Sequence, residues 1–449
     1  MSQQEPIRDA RTLGVPKMLL LGLQHMFAMF GATILVPIIV ANAYDLPLSV
    51  QTSLFFAGIG TLFFHVCSKL QVPAFLGSSF AFLGGFETVS KLPAYEGMDP
   101  AVKLQYACGG IVVAGLLYLI LALLVKVVGV KKVMRFLPPV VTGPIIICIG
   151  LNLAPSAVNN AAMCWPLALI ALGVIIVFNI WGKGMLKIIP ILLGVVIAYV
   201  AALIMNACGM TNVDGTPILN LAAIAEADWV GLPPFQLAKF DLSGILVMAP
   251  IAIAAMMEHI GDMSAISATV GKNFIEDPGL HRTLIGDGIA TSLSAMFGGP
   301  ANTTYGENTG VLVLSRVYDP RVIRLAAIYA VVLGFIPKMA EVIGSMPTAI
   351  VGGISFMLYG MISAIGVRNI VENKVDFTNS RNLIIAAVIL VCGLGFSGGL
   401  TFQVAGASVT LTGLAIAAIA GILLNAILPG NDYEFGINES GDQNRGIHP

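Results

Sequence analysis

Long apolar runs separated by short polar connections fill the chain from residue 17 to residue 428. A helix needs about 20 mostly apolar residues to cross the hydrocarbon core of a bilayer. The pattern therefore predicts an all-α polytopic membrane protein with about fourteen transmembrane segments. The predicted spans are 17–41, 49–68, 73–89, 105–128, 138–157, 164–181, 186–206, 243–265, 283–299, 300–315, 322–343, 346–366, 381–397 and 402–428.

The third and tenth predicted spans differ from the others because they are short and rich in Gly, Ser, Thr and Pro. They contain PAFLGSSFAFLGG at 73–85 and PANTTYGENTG at 300–310. A re-entrant or edge loop would have this composition, and so would a discontinuous span. Non-helical backbone at membrane depth is tolerated only where it is buried in protein or lines a cavity. Paired discontinuous spans are typical of transporter binding sites.

The composition agrees with a lipid environment. Hydrophobic residues make up 57% of the 449 residues and charged residues only 10%, against about 25% charged residues in soluble domains. The net charge of -1 provides no basic surface for a nucleic-acid partner. The six cysteines form no C-x-x-C or Cys/His cluster. No metal site and no cofactor is therefore predicted.

The distribution of Lys and Arg predicts the orientation of the chain. If the N-terminus lies inside, 19 of the 23 Lys and Arg residues fall on the inner side of the membrane. Cytoplasmic loops carry such an excess, and a wrong span count would scramble it. We therefore expect a multi-pass inner-membrane protein with both termini in the cytoplasm. In the longest outer loop, 207–242, the apolar stretch Trp229–Phe235 is expected to lie on the membrane surface.

Four short matches indicate that the second half of the chain repeats the first. Each pair occurs in the same order along the two halves. The pairs are Gln24-His25 with Glu258-His259, Gly58-Ile59-Gly60-Thr61 with Gly288-Ile289-Ala290-Thr291, Pro73-Ala74 plus Ser78-Ser79-Phe80 with Pro300-Ala301 plus Thr303-Thr304-Tyr305, and Leu137-Pro138 with Met346-Pro347. Seven spans in each half is an odd number. The halves would therefore have opposite topology, as in transporters built from inverted repeats.

Ionisable residues at membrane depth are costly and mark functional sites. Glu258 and Asp262 lie four residues apart in span 8, on one helical face. Two neighbouring carboxylates in a low dielectric resist double ionisation, so both are candidates for holding a transported proton. His25 in span 1 is a further candidate for proton coupling and is expected to hydrogen-bond across to span 8. His259 is expected mainly to pack. Further ionisable residues, nearer span ends, are Glu87, Asp287, Lys338 and Glu341.

The broken spans add candidate ligand contacts. Glu307 follows a breaking glycine, Gly306, and is a candidate both for binding and for proton coupling. Phe80 offers an aromatic face and a free backbone amide, and Tyr305 is its repeat mate. Carboxylates with little fixed positive charge select against anions. They suit a small neutral ligand rich in N–H donors, such as a pyrimidine or purine base.

Several stretches resemble the nucleobase–cation symporter-2 family, also called nucleobase–ascorbate transporters. They are QHMFAMFGATILVP (24–37), VPAFLGSSFAF (72–82), EHIGD (258–262), DPGLHR (277–282), NTTYGENTGV (302–311) and KVDF (374–377). The similarity runs from about residue 12 to 428 and is greatest to the uracil permease branch. It implies proton-coupled import of uracil, a homodimer, and short strands in segments 3 and 10. It also implies that Glu258 and Glu307 bind the base, with the backbones of Phe80 and Gly306 and with Tyr305 beside them.

The resemblance further implies a core domain and a gate domain, each built from two separate stretches of the chain. The predicted boundaries are 1–16 (N-terminal tail), 17–135 (first stretch of the core), 136–206 (first stretch of the gate), 207–242 (outer loop), 243–344 (second stretch of the core), 345–428 (second stretch of the gate) and 429–449 (C-terminal tail).

One position departs from the family pattern. Uracil permeases have a histidine four residues after the span 8 glutamate, where this chain has Asp262, as in the purine-carrying branch. A xanthine or uric acid:proton symporter is therefore the alternative. An anion transporter or channel of similar topology is a second one, although it would need a cationic site. An intramembrane enzyme would need a motif such as H-E-x-x-H, which the sequence lacks.

Overall fold

A computed structural model describes residues 6–183, 185–219, 221–396, 398–404, 407–430 and 433. Its helices are α1 Val15–Tyr44, α2 Val50–Cys67, α3 Leu83–Ser90, α4 Pro100–Val128, α5 Val130–Met134, α6 Pro139–Asn152, α7 Ala154–Ala162, α8 Trp165–Trp181, α9 Met185–Ile188, α10 Pro190–Ala207, α11 Ala222–Glu226, α12 Leu242–Met248, α13 Ile251–Val270, α14 Leu280–Met296, α15 Gly306–Ser315, α16 Pro320–Gly334, α17 Pro337–Gly344, α18 Thr348–Glu372, α19 Ser380–Gly395 and α20 Gly413–Ile427. Its strands are β1 Leu76–Ser78, β2 Asn302–Thr304, β3 Leu400–Val404 and β4 Ala407–Leu411.

Seven helices or continuous helix pairs in the described residues are long and apolar enough to cross a membrane. They are α1, α2, α4, α6 with α7, α10, α12 with α13, and α18. Helices α16 and α17 add an eighth if they are one span bent by 87°. Helices α8, α19 and α20 are apolar but shorter. The prediction of a multi-pass helical membrane protein therefore holds.

Two helices begin at an Asp-Pro pair, which explains where they start. The Asp99 carboxylate accepts the backbone N–H of Ala101 at 2.7 Å, and Asp319 accepts that of Arg321 at 2.9 Å. Proline follows each aspartate, and its fixed φ suits the first helical position. The aspartate satisfies an N–H that has no partner within the helix.

The larger helix–helix contacts fall into two sets. Helices α1, α2, α4, α14 and α16 form one set, and α6, α7, α8, α10, α18, α19 and α20 form the other. Helix α13 lies between the two sets. It contacts α4 and α14 of the first set and α6 and α20 of the second.

Glycines bring helices close together within each set. A Cβ on Gly288 of α14 would lie 2.7 Å from the carbonyl oxygen of Gly115 in α4. A Cβ on Gly366 of α18 would lie 2.7 Å from the carbonyl oxygen of Gly143 in α6. Because both distances are too short for real atoms, only glycine permits these approaches. Small residues at contacts of this kind are typical of membrane helix pairs.

The predicted span 402–428 is wrong before Gly413, because the described residues among 402–412 are not helical. Strands β3 and β4 pair there as an antiparallel hairpin, with Phe402 opposite Val409, and helix α20 begins only at Gly413. Other boundaries also shift. Span 3 becomes α-helical only from Leu83, and span 5 divides into α6 and α7. A short apolar run has the same hydropathy in a strand as in a helix, which is why the pattern misassigned this hairpin.

The described residues of the predicted N-terminal tail pack against the loop between α15 and α16. The Ile7 N–H donates to the Arg316 carbonyl at 2.9 Å, and the Tyr318 N–H donates to the Ile7 carbonyl at 2.9 Å. The Ala10 N–H donates to Asp319 Oδ2 at 2.7 Å. Most of the predicted C-terminal tail, 431–432 and 434–449, lies outside the described residues.

A surface ion pair reinforces this contact. The Arg11 side chain beside Asp9 lowers the pKa of that carboxyl to about 2. Arg321 lies 3.0 Å from the same carboxylate. Asp9 is therefore ionised at physiological pH.

The stretch Trp229–Phe235 of the predicted outer loop forms neither helix nor strand. Trp229 is 72% exposed, with the Lys338 ammonium 5.0 Å from the centre of its ring. The Phe235 ring packs edge-on against Phe55 and Phe297. Near the other end, the Gly231 N–H donates to the Phe335 carbonyl at 3.0 Å. The stretch is therefore held at both ends while the Trp229 side chain stays exposed, and its position at the membrane surface remains a prediction.

Candidate functional site

Two short strands from the halves of the chain meet in the interior. Strands β1 and β2 pair antiparallel, with Gly77 opposite Thr303. The pairing continues beyond the strands: the Tyr305 N–H donates to the Phe75 carbonyl at 2.9 Å, and the Ser79 N–H donates to the Ala301 carbonyl at 2.8 Å. The two unwound segments thus satisfy each other's backbone groups, as buried polar groups in a membrane require.

A threonine from the preceding helix holds each strand. Thr61 Oγ1 of α2 accepts the Leu76 N–H at 2.9 Å and lies 3.2 Å from the Leu76 carbonyl oxygen. Thr291 Oγ1 of α14 accepts the Asn302 N–H at 3.2 Å and donates to the Asn302 carbonyl at 3.0 Å. Leu76 and Asn302 are the first residues of their strands. These two threonines are also the matched pair of the sequence repeat.

Tyr305 braces the crossing. Its hydroxyl donates to the Ser78 carbonyl at 2.9 Å and lies 3.4 Å from Thr33 Oγ1 of α1. The ring packs over Gly77, which has no side chain to displace it. The tyrosine therefore connects the end of β1 to the end of β2.

Gly77→Ala is expected to lower the thermal unfolding temperature by several degrees. The new Cβ would lie 2.6 Å from Thr33 Oγ1 and would overlap the Tyr305 ring. Overpacking of this kind costs about 1–3 kcal/mol. Gly84→Ala in the same segment is the matched control, because its Cβ would meet nothing within 4 Å. Equal unfolding temperatures for both variants in detergent would contradict the close packing of the Tyr305 ring over Gly77.

A short helix begins directly after each strand. One helical turn, Phe80–Phe82, leads into α3, and α15 begins at Gly306. The N-cap residue of α15 is Tyr305, whose side chain does not cap the helix. The first N–H groups of a helix lack intrahelical partners and carry partial positive charge, so they can donate to a ligand oxygen.

Helix α13 presents two carboxylates to this crossing. Glu258 is half-buried and Asp262 is only 5% exposed. Asp262 Oδ2 accepts a hydrogen bond from Thr304 Oγ1 of β2 at 2.8 Å. The two acids lie one helical turn apart, on the face predicted from their spacing.

A small cavity joins these groups. It has a volume of about 20 Å³ and is lined by Phe80, Ile146, Glu258, Asp262, Thr304, Tyr305, Gly306, Ile362 and Ile365. A larger vestibule of about 340 Å³ adjoins it and shares Ile146, Asp262, Gly306 and Ile365. The predicted residues Phe80, Glu258, Asp262, Tyr305 and Gly306 are therefore brought together, beside a space large enough for a small molecule.

The other face of α13 is held by a buried polar cluster. His259 Nδ1 lies 2.9 Å from Asp287 Oδ2 of α14, and both side chains are fully buried. His259 Nε2 lies 3.0 Å from Thr283 Oγ1. The expectation that His259 mainly packs is incomplete, because its ring also makes polar contacts that fix the rotation of α13 and thereby the direction of Glu258.

His25 lies outside the cavity, and its expected contact with span 8 is wrong. The Asn308 side-chain amide of α15 donates to the His25 carbonyl at 3.0 Å and lies 3.3 Å from His25 Nδ1. The histidine therefore contacts segment 10. Glu307 belongs to the first turn of α15, but its side chain lies outside what the structure describes.

The residues that sequence reasoning missed are mostly apolar. Ile146, Ile362 and Ile365 complete the cavity wall, and Thr304 bonds Asp262. Only the repeat match of Thr303-Thr304 with Ser78-Ser79 drew attention to Thr304. Within the described residues, no group of three or more His, Cys, Asp or Glu side chains is arranged to hold a metal ion.

Comparison with known sequences identifies the family. The sequence model of the Permease family matches residues 16–401. This chain belongs to the Permease family. The resemblance to nucleobase–cation symporter-2 proteins is thereby confirmed.

Several relatives of this permease are named for pyrimidine transport. The uracil permease of Bacillus caldolyticus is 41% identical over 439 residues, which cover 94% of each chain. The uracil permease of Bacillus subtilis is 41% identical over 426 residues, covering 91% of each chain. The putative pyrimidine permease RutG of Escherichia coli is 37% identical over 415 residues, covering 91% of this chain and 88% of the relative.

Solved structures share the fold of this permease at low sequence identity. The transmembrane domain of a cyanobacterial bicarbonate transporter, BicA, has a TM-score of 0.63 and 17% identity, and the match covers 93% of this chain and 100% of that one. SLC26A9 has a TM-score of 0.63 and 13% identity, covering 93% of this chain and 66% of that one. These matches describe the architecture alone.

Proposed function

We propose that this chain imports uracil across the cytoplasmic membrane together with a proton, by alternating access. The observation that carries the proposal is the cavity that joins Glu258, Asp262, Phe80 and Gly306 between the two helix sets. The uracil permeases that are 41% identical over more than nine-tenths of the chain support the substrate.

The chemistry of the cavity suits one edge of a pyrimidine. Ring N–H groups of uracil would donate to the carboxylates of Glu258 and Glu307. The carbonyl oxygens would accept from the backbone N–H groups at Phe80 and Gly306. A charged hydrogen bond to a desolvated ligand is roughly twice as strong as a neutral one, so the acids supply much of the affinity.

The two helix sets would be the core and gate domains of an inverted-repeat transporter of fourteen segments. Thr61 and Thr291 support the repeat, because each accepts a hydrogen bond from the first N–H of a strand in its own half of the chain. Alternating access would then be movement of one domain against the other around the midplane site. We also propose cytoplasmic termini, from the excess of Lys and Arg on one side, and a homodimer, as the resemblance implies.

The vestibule would be the cytoplasmic route. Its lining includes Lys187 and Arg368, which the charge distribution assigns to the inner side. The conformation is therefore inward-facing in this proposal. Asp262 lines both the cavity and the vestibule. It would therefore exchange a proton with the cytoplasm while Glu258 and Glu307 would hold the base.

Transport by purified protein in liposomes tests whether uracil is the substrate. In a counterflow assay, labelled uracil is expected to accumulate, and unlabelled uracil is expected to compete at least about tenfold better than xanthine, because pockets of different shape discriminate by this order. Asp262, which stands where uracil permeases have histidine, makes xanthine the informative competitor. Competition by xanthine but not by uracil would replace the proposal with a xanthine or uric acid symporter.

A further inference from the structure

The cavity has two unlike walls. The core side carries the polar groups, and the other side carries three isoleucines from the opposite helix set. These are Ile146 of α6 and Ile362 and Ile365 of α18, here called the isoleucine wall. The wall offers no hydrogen bond, so its contribution to recognition is steric.

The isoleucine tips lie against the backbone that presents the polar groups. A Cβ on Gly306 would lie 3.3 Å from Ile365 Cδ1, and a Cβ on Gly261 would lie 3.3 Å from Ile146 Cδ1. One turn before Ile362, the Tyr359 ring lies 6.0 Å from the Phe80 ring, centre to centre. The wall is therefore closed down onto α13, α15 and the Phe80 turn.

Two of the isoleucines also form the boundary with the vestibule. Ile146 and Ile365 line both spaces, whereas Ile362 lines only the small cavity. The available volume falls from about 340 Å³ to about 20 Å³ across this boundary. A volume of about 20 Å³ holds about one water molecule, so a base enters only when α6 and α18 move back from α13 and α15. Isoleucine side chains are β-branched and stiff at χ1, so they then limit the room that this movement opens.

Polar recognition by itself does not separate pyrimidines from purines at this site. The six-membered ring of xanthine carries the same alternating carbonyl and N–H groups as uracil. Carboxylates and backbone amides that bind this edge would accept either base. The difference is the fused second ring, which adds three ring atoms on the far side of the base.

We propose that the isoleucine wall is the size filter that restricts this permease to single-ring bases. The inference deepens the proposed function and rests on it. With the polar edge of the base against α13 and α15, a second ring would project into Ile362 or Ile365. Replacing either isoleucine with alanine removes three carbon atoms from the wall, as many as the second ring adds.

Binding of uracil and xanthine to purified variants tests the filter. In Ile362→Ala or Ile365→Ala, xanthine affinity measured by calorimetry is expected to rise at least about tenfold, while uracil affinity changes less than about fivefold. Ile354→Ala is the matched control, because Ile354 is a buried residue of the same helix, only 2% exposed, that lines neither space. The control is expected to leave the ratio of the two affinities unchanged.

The outcomes separate the two proposals. Uracil binding with xanthine still excluded in both alanine variants would overturn the filter and leave the proposed function intact. Absence of uracil binding in the unmodified protein would overturn the proposed function. If an alanine variant does not fold, Ile362→Val and Ile365→Val remove one carbon each, and a rise in xanthine affinity of about threefold is expected. An unchanged affinity ratio in the valine variants would count against the filter.

Discussion

Glu258→Gln is expected to weaken uracil binding at least about a hundredfold, or by about 3 kcal/mol. The loss is large because hydrogen bonds to charged groups contribute more binding energy than hydrogen bonds between neutral groups. The glutamine keeps the size of the side chain but presents an NH₂ donor and loses the charge. A ring N–H of the base that faces this donor would be left without an acceptor. Isothermal titration of detergent-purified protein measures the loss, and counterflow should fall with it.

Glu341→Gln is the control for this change. Glu341 lies on α17, is exposed, and lines neither cavity nor vestibule. It should leave both binding and counterflow unchanged. Retention of full uracil affinity in Glu258→Gln, with normal folding, would remove Glu258 from the site.

Asp262→Asn is expected to separate proton coupling from binding. Asparagine can still accept the hydrogen bond from Thr304 Oγ1, now 2.8 Å from Asp262 Oδ2, so the geometry of β2 is kept. The proton-carrying group is lost, and stimulation of uptake by an inward proton gradient should fall at least about tenfold, as expected for an intramembrane carboxylate in a proton relay. Uracil affinity should change less than about threefold, because a neutral hydrogen bond of about 1 kcal/mol can replace the original.

The stimulation of uptake is measured in liposomes with and without an imposed pH gradient, and the uracil affinity is measured by calorimetry. Asp228→Asn is the control, because Asp228 is exposed in the connection between α11 and α12. Undiminished stimulation by the gradient in Asp262→Asn would assign the proton to another group. Loss of uracil binding in the same variant would make Asp262 a ligand-binding residue instead.

Much of the polar half of the site could be predicted from the sequence. The spacing of Glu258 and Asp262 fixes a shared helical face, and charged residues are rare enough in apolar spans to be noticed one by one. The weak segments containing Phe80 and Gly306 stood out because glycine, proline and hydroxyl residues interrupt an apolar pattern. His25 could be recognised from the sequence as a polar residue within an apolar span. Its hydrogen-bond partner, Asn308, could not be predicted, because it depends on which helix packs beside α1.

The apolar half could not be predicted. Ile146, Ile362 and Ile365 are three among many isoleucines in apolar helices. In lipid, the outward and inward faces of a helix have similar hydropathy, so periodicity does not say which of them faces the ligand. The hairpin of β3 and β4 was hidden for a related reason, since a run of Thr, Val, Leu and Phe is apolar in either conformation.

The sequence by itself determined that this chain is a membrane protein, that its two halves carry matching motifs, and which acidic residues lie within apolar spans. These properties follow from composition and spacing, because the cost of placing a polar or charged group in hydrocarbon depends on residue type. Only the tertiary structure decided that β1 pairs with β2, that Tyr305 braces the crossing, and that three isoleucines close the cavity. Those features join residues far apart in the chain, and packing between helices of similar hydropathy is set by shape, which a one-dimensional pattern does not record.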